Sequence, residues 1–226
     1  MSRSKAEMTG STRDFVYQRI KEQIINLELT PGTKISEQEM AGKLEVSRTP
    51  VREAFFKLAQ EDLLVIIPQS GTIVSKIDLD LVEEGRFLRE HIEKAIVREV
   101  CKKANQDQLL RIETNLTMQE FCLKKGTHQR LFELDEEFHE LLFDICQKKR
   151  TWKIIRQMNS HLDRLRMLRL AINQDWTIVV EHHQKIFEAI SSRNEELAEE
   201  TMATHMSLVI VEKDQLRERY PEFFSH

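Results

Sequence analysis

The chain has 226 residues, 40% of them hydrophobic, enough for one large domain or two modest ones with a real core. Six Gly and four Pro in this length exclude a loop-rich or β-sandwich protein and favour helices. The formal net charge of −4 excludes a generally basic nucleic-acid binder, so any affinity for DNA must come from a local cluster.

The first residues, MSRSKAEMTGS, are polar and hold no apolar run of the signal-peptide type. Residues 1–10 read as a disordered arm and the compartment as cytoplasmic. No stretch approaches the ~18 consecutive apolar residues of a membrane span. Phe15, Ile20, Ile24, Ile25 and Leu27 then mark an amphipathic helix that ends at Leu29-Thr30-Pro31-Gly32. Ser36 is placed to cap a second helix, with Glu39 three residues on completing a capping box and Met40 and Leu44 on one face. Glu45-Val46-Ser47 is a short break, and Ser47 is placed to cap a third helix with Pro50 in its first turn, where a missing N–H does little harm. Arg48, Thr49 and Arg52 crowd the start of that helix, the end that a recognition helix presents to the major groove. Ala54, Phe55 and Leu58 continue its buried side. Leu64-Val65-Ile66-Ile67 and Thr72-Ile73-Val74 read as two strands joined by a turn at Pro68-Gln69-Ser70-Gly71. Three helices followed by a hairpin make a winged helix.

Residues 11–76 resemble the N-terminal domain of GntR-family bacterial transcription regulators. The likeness rests on Leu29-Thr30-Pro31-Gly32, Ile35-Ser36-Glu37, the run from Val46 through Ser47-Arg48-Thr49-Pro50-Val51-Arg52-Glu53 to Ala54, Leu58, and Gly71 with Val74. It implies a DNA-binding surface of Ser47, Arg48, Thr49, Arg52, Gln38, Gln69, Ser70 and Gly71. Gln38 stands where many members carry an Arg, Asp62 where Gly is usual, and Ser70 at a wing-tip position that is often basic. Residues 1–78 hold eleven Lys or Arg and eleven Asp or Glu, so this part is neutral and the acidic excess lies in the rest. Arg48, Arg52, Lys57 and Arg13 are the local basic cluster, which a dimer would double.

Residues 77–80 read as a linker. Beyond it strand signals are nearly absent. Phe87, Leu88, Ile92, Ile96 and Val97 form an apolar stripe, as do Leu109, Leu110, Ile112, Leu116, Met118 and Phe121. Gly126 and Thr127 break the chain, and amphipathic segments follow at 131–145, 152–171, 177–191 and 194–219. The expected fold is mostly α: an N-terminal winged helix-turn-helix and, over 81–220, an antiparallel bundle of six to seven helices. Cys101, Cys122 and Cys146 are widely spaced and odd in number, and read as reduced thiols on helices.

Asp135 and His139 are four apart and project from one helical face, among the core-type residues Phe138, Leu141 and Leu142. His183 and His205 lie on later helices. A carboxylate and three imidazoles converging inside a bundle suit a divalent transition metal (Zn, Ni, Mn, Fe or Co). His91, His128 and His161 read as surface residues.

From Leu81 onward the chain resembles the FCD effector domain of the FadR subfamily of GntR regulators. The resemblance implies a metal held by Asp135, His139, His183 and His205, with His183 preferred over the neighbouring His182 because Ile186 and Ala189 then fall in family register. It also matches Arg89 to an arginine that faces the effector cavity. A surface ion pair of Arg89 with Glu93 is the other reading. One of Arg164, Arg166 and Arg169 is expected to enter the pocket. The whole implies a homodimeric repressor that reads a pseudo-palindromic operator and answers to a small organic acid bound at the metal-centred cavity. The alternatives are a sensor whose effector is the ion itself and, against the presence of a DNA reader, a metal-dependent hydrolase.

Overall fold

The computed structural model describes residues 11–173, 176–209 and 213–225; the proposed arm at 1–10 lies outside them. The fold is mostly helical, with a winged helix-turn-helix followed by a helical bundle. Contacts divide the chain into two units: residues up to Asp78 together with the C-terminal stretch from Tyr220, and Leu79–Arg219.

In the first unit, α1 (Thr12–Ile25), α2 (Glu37–Lys43) and α3 (Arg48–Gln60) pack around Val16, Ile20, Ile24, Met40, Val51, Phe55 and Leu58, all buried. Ser11 caps α1 through the Asp14 N–H. Ser36 caps α2, accepting from the Glu39 N–H at 3.1 Å, but the Glu39 carboxylate pairs with Lys43 Nζ at 2.8 Å. Ser47 is the N-cap residue of α3 without a side-chain capping bond. Tyr17 Oη and Lys21 Nζ both donate to the Glu61 carboxylate at 2.6 Å, which ties α1 to the end of α3. The wing is β2 (Leu64–Ile67) and β3 (Gly71–Val74), antiparallel, with Ile67 opposite Gly71. Its turn uses two left-handed residues, Gln69 at φ 61° and Gly71 at φ 116°. A third strand, β1 (Lys34–Ile35), pairs with the other edge of β3. The tail returns to the linker: Ile77 N–H donates to Phe223 O at 2.8 Å, Ser225 N–H donates to Ile77 O at 2.9 Å, and Phe224 is 1% exposed.

In the second unit, α4 (Leu79–Lys103) is central and packs on α6 (His128–Ile145), α7 (Lys149–Met158), α8 (Ser160–Asn173), α9 (Thr177–Ser191) and α10 (Glu195–Ser207), while α5 (Gln106–Lys125) lies on α6 and α9. α11 (Lys213–Arg219) follows. Two of the expected segments are each divided: 152–171 falls partly in α7 and partly in α8, with a break at Asn159, and 194–219 yields α10 and α11. The core runs through Val97, Val100, Ile112, Phe138, Leu142, Phe143, Ile155, Ile186, Ile190 and Met202. Several residues of the apolar stripes stay exposed, namely Phe87, Leu110, Met118 and Phe121. Gly85 marks a close crossing: an added Cβ would meet Asn159 Oδ1 at 3.2 Å and Met158 O at 3.4 Å. Among the described residues, no helix is long and apolar enough to cross a membrane.

Asp62 ends the turn before β2 at φ 56°, a left-handed conformation that costs an L-residue up to about 1–2 kcal/mol, and Asp less than most. Asp62→Gly should therefore raise the stability of the winged unit by roughly 0.5–1 kcal/mol, seen as a higher urea midpoint at unchanged slope. A lower midpoint would mean that the Asp62 side chain contributes more than the strain removes.

Candidate metal centre and nucleic-acid interface

The start of α3 carries Arg48, Thr49 and Arg52, all exposed, with Gln38 exposed on α2 and Gln69, Ser70 and Gly71 exposed at the wing turn. Ser47 is also exposed, at the entry to α3. A residue that the sequence does not single out organises this face. Glu37 receives Arg52 Nε at 3.0 Å and Arg48 Nη2 at 3.3 Å, so one carboxylate braces both arginines. Hydrogen bonding from Arg52 holds the Glu37 carboxyl below its ordinary range, more than offsetting burial. Of the wider basic cluster, Lys57 Nζ sits 3.5 Å from the Tyr17 ring centre and Arg13 lies 3.9 Å from Glu53.

In the helical unit, Asp135 and His139 from α6, His183 from α9 and His205 from α10 bring one ligand atom each to within 4.8 Å of one another, and all four are buried. His205 Nε2 stands 3.3 Å from both His183 Nε2 and His139 Nε2. Asp135 Oδ1 lies 3.6 Å from His183 Nε2 and is buried with no hydrogen-bond partner, while Oδ2 is held by Arg166 Nη2. The far side of two rings is also fixed. His183 Nδ1 faces Gln119 Oε1 at 2.8 Å, and Gln119 is itself held by Asn115 Oδ1 at 2.7 Å. His139 Nδ1 lies 2.5 Å from Glu93 Oε2. The Gln119 bond leaves the His183 Nε2 lone pair for the centre, the arrangement that orients an imidazole for a metal, whereas His139 Nδ1 and Glu93 Oε2 are in close contact without hydrogen-bond geometry. Neighbouring His182 points elsewhere: its ring centre is 6.1 Å from that of His205, and its Nδ1 has no partner.

This donor set fits a divalent ion. Three nitrogen donors and one carboxylate oxygen match the preferences of Zn and its neighbours, and an orphaned carboxylate oxygen amid aligned imidazoles is costly unless something charged sits there. Burial pushes His183 and His205 well below the ordinary imidazole range, helped by the other rings and by Arg166 and Arg89, so both are neutral and ready to ligate.

Asp135 and His205 open onto a cavity lined also by Arg86, Arg89, Arg166 and Arg169, with Leu162, Trp176, Val179 and Met206 as its apolar wall. Arg166 and Arg169 are thus the arginines of α8 at the pocket. Arg164 is fully buried away from it, with Nη2 3.2 Å from His161 Nδ1. His161 is 4% exposed, so its reading as a surface residue is corrected: the break at Asn159 turns the start of α8 inward. The surface reading of the Arg89–Glu93 pair is corrected as well. Arg89 Nε and Glu93 Oε1 are 2.6 Å apart, but both residues are buried on the inner face of α4. Arg89 Nη2 and Trp176 Nε1 are buried donors without partners. Glu136 gathers Arg156 and Arg166, and these arginines with Arg89 hold its carboxyl far below the ordinary range against the opposing effect of burial. Of these contributors, Gln119 and Trp176 escape sequence reading, and Glu93 shows there only as a possible surface partner of Arg89.

Residues 12–74 match the model of bacterial regulatory proteins of the gntR family, and residues 86–208 match the FCD domain. The chain is 32% identical over 210 residues to the HTH-type transcriptional repressor RspR of Escherichia coli K12, covering 93% of this chain and 92% of that protein. It is 33% identical over 221 residues to an HTH-type transcriptional regulator in an unstable DNA locus of Streptomyces ambofaciens, covering 97% and 93%. The solved structure of E. coli McbR/YncC shares the fold, with a TM-score of 0.81 at 18% identity over 94% of this chain and all of that one. With a winged helix at one end of the sequence and the FCD bundle after it, the chain belongs to the GntR family of bacterial regulatory proteins and is a DNA-binding transcriptional regulator, not an enzyme.

Proposed function

We propose that this regulator is a homodimeric repressor whose helical unit binds one divalent transition metal through Asp135, His139, His183 and His205 and, beside it, a small carboxylate effector. The observation that carries the metal is Asp135 Oδ1, buried and unpartnered amid three converging imidazole nitrogens. FCD domains often bind metals, which agrees with it. The carboxylate is supported by the four arginines of the adjoining cavity and by the two buried donors, Arg89 Nη2 and Trp176 Nε1, that lack acceptors. The ion would supply a Lewis-acidic anchor for one oxygen of the acid. Arg89 and the apolar wall would orient the remainder.

For DNA, Arg48, Thr49 and Arg52, with Ser47 and Gln38, are read as the groove-facing set, and Gln69, Ser70 and Gly71 as the wing contact. GntR regulators usually act as dimers. A neutral winged helix offers too few phosphate contacts to bind tightly alone, so two copies on a pseudo-palindromic operator suit it. The exposed apolar side chains of the helical unit, such as Phe87 and Ile154, at 56% each, are what a second copy would cover. The repressor sense follows the RspR relative.

Three outcomes test this reading. Arg48→Ala should cost roughly 1–3 kcal/mol of affinity for DNA that the wild-type protein selects from a random pool, with unchanged circular dichroism; wild-type affinity would remove Arg48 from the interface. His183→Ala should lower the metal content of purified protein and its melting temperature, whereas His182→Ala should leave both unchanged. The reverse pattern would shift the site by one residue, and metal retained in both would move it elsewhere. The third outcome is a pH dependence. Unfolded imidazoles take up protons near pH ~6.5, but folded His183 and His205 stay neutral well below that, so the unfolded state binds more protons in acid. Stability of metal-free protein should therefore fall as pH drops from about 7 to about 5.5, read from urea midpoints. A flat profile would contradict the buried neutral state of these rings.

A further inference from the structure

Glu93 touches both halves of the site. It is fully buried on α4, one turn beyond Arg89. Its Oε2 lies 2.5 Å from His139 Nδ1, on α6, and its Oε1 lies 2.6 Å from Arg89 Nε. His139 presents its other nitrogen, Nε2, to the centre, 3.3 Å from His205 Nε2. Arg89 lines the effector cavity. Its Nη1 stands 3.6 Å from Glu136 Oε1, and its Nη2 is buried with no partner. One carboxylate thus bridges a metal-type imidazole and the cavity arginine that still has a donor to give.

We infer that Glu93 is a positioning residue that couples metal binding to effector binding. The inference rests on the reading of the four-residue group as a metal site. One oxygen, Oε2, lies against His139 Nδ1, where a carboxylate favours the proton on Nδ1 and so the Nε2 lone pair inward; the other holds the Arg89 guanidinium at the cavity wall. A carboxylate that binds at Arg89 Nη2 shares the guanidinium charge and loosens its hold on Glu93. Glu93 then serves His139 more fully, and His139 becomes the better ligand. The coupling is positive, and by linkage it runs both ways: the ion tightens the acid as much as the acid tightens the ion. A carboxylate–imidazole–metal partner of this kind is worth about 10–100-fold in metal affinity.

The test is zinc affinity by competition with a chromophoric chelator, on the full chain, with and without millimolar acetate as the carboxylate probe and with correction for acetate bound to zinc. Wild type should bind zinc, and acetate should tighten it by about fivefold or more. Glu93→Gln should weaken zinc by about 10–100-fold with unchanged circular dichroism and should abolish the acetate shift. Arg89→Gln should also lose the shift. Should Glu93→Gln fail to fold, Glu93→Asp keeps the charge but withdraws the carboxylate by one methylene, and it should weaken zinc and blunt the shift. Wild-type zinc affinity in the foldable Glu93 variant overturns the positioning role, and so does an acetate shift that persists there or is missing from wild type overturn the coupling. A wild-type protein that takes no zinc, cobalt, nickel or manganese overturns the metal reading itself. That is a different failure, visible before any variant is made.

Discussion

Arg166 is the hinge of the helical unit's chemistry. It sits on α8 with its guanidinium 4.8 Å from the Phe132 ring and 5.7 Å from the Trp176 ring, and it reaches two carboxylates from the next layer, Asp135 through Nη2 and Glu136 through Nη1. Burying an isolated carboxylate is costly, and Arg166 offsets that cost for Asp135 by holding one of its oxygens. The other oxygen is then presented to the three imidazoles. Neighbouring Glu136 and Asp163 are satisfied by the same guanidinium and by Arg156. Breaking one member of such a buried set typically costs about 3–5 kcal/mol, because the abandoned charge remains inside. The four-residue group is therefore the inner edge of a buried ionic lattice.

How much of this is legible in residue order depends on the range of the interaction. The winged helix is announced by local signals: Ser36 and Ser47 before helices, Pro50 in a first turn, and a Gly at the wing turn. Its third strand is not, since Lys34–Ile35 is too short to show alternation and exists only by pairing with β3. Asp135 and His139 are legible because i,i+4 spacing places them together whatever else happens. Glu93 is not, because beside Arg89 it looks like any surface pair until burial is known. Gln119 is a lone amide on α5 with no spacing to betray it. The arginines of α8 could not be told apart either, since the break at Asn159 resets the helical phase and only the tertiary fold says which one meets the cavity. Apolar spacing also overstates burial: Phe87 and Leu110 belong to their stripes, yet they face outward in the single chain.

The exposed start of α3, proposed above to meet DNA, follows a different physical rule. Arg48 and Arg52 are held by Glu37, but all of this is near water, and exposed ion pairs contribute only about 0–1 kcal/mol. Such a brace keeps two long side chains pre-arranged and can be exchanged for phosphate or base contacts at little cost. The inner lattice is rigid because its charges have nowhere to go. The outer pair is exchangeable because solvent stands ready to replace either partner.

The return of the tail to Ile77 makes the first unit discontinuous in sequence. Residues 223–225 close on both backbone groups of Ile77, so the C-terminal stretch is hydrogen-bonded into the first unit. The first unit is thus built from two stretches of sequence, with the helical unit between them in the chain. A fragment cut after Asp78 would leave the Ile77 N–H and C=O without those bonds, so a winged unit with its own full set of backbone partners needs residues 223–225 as well.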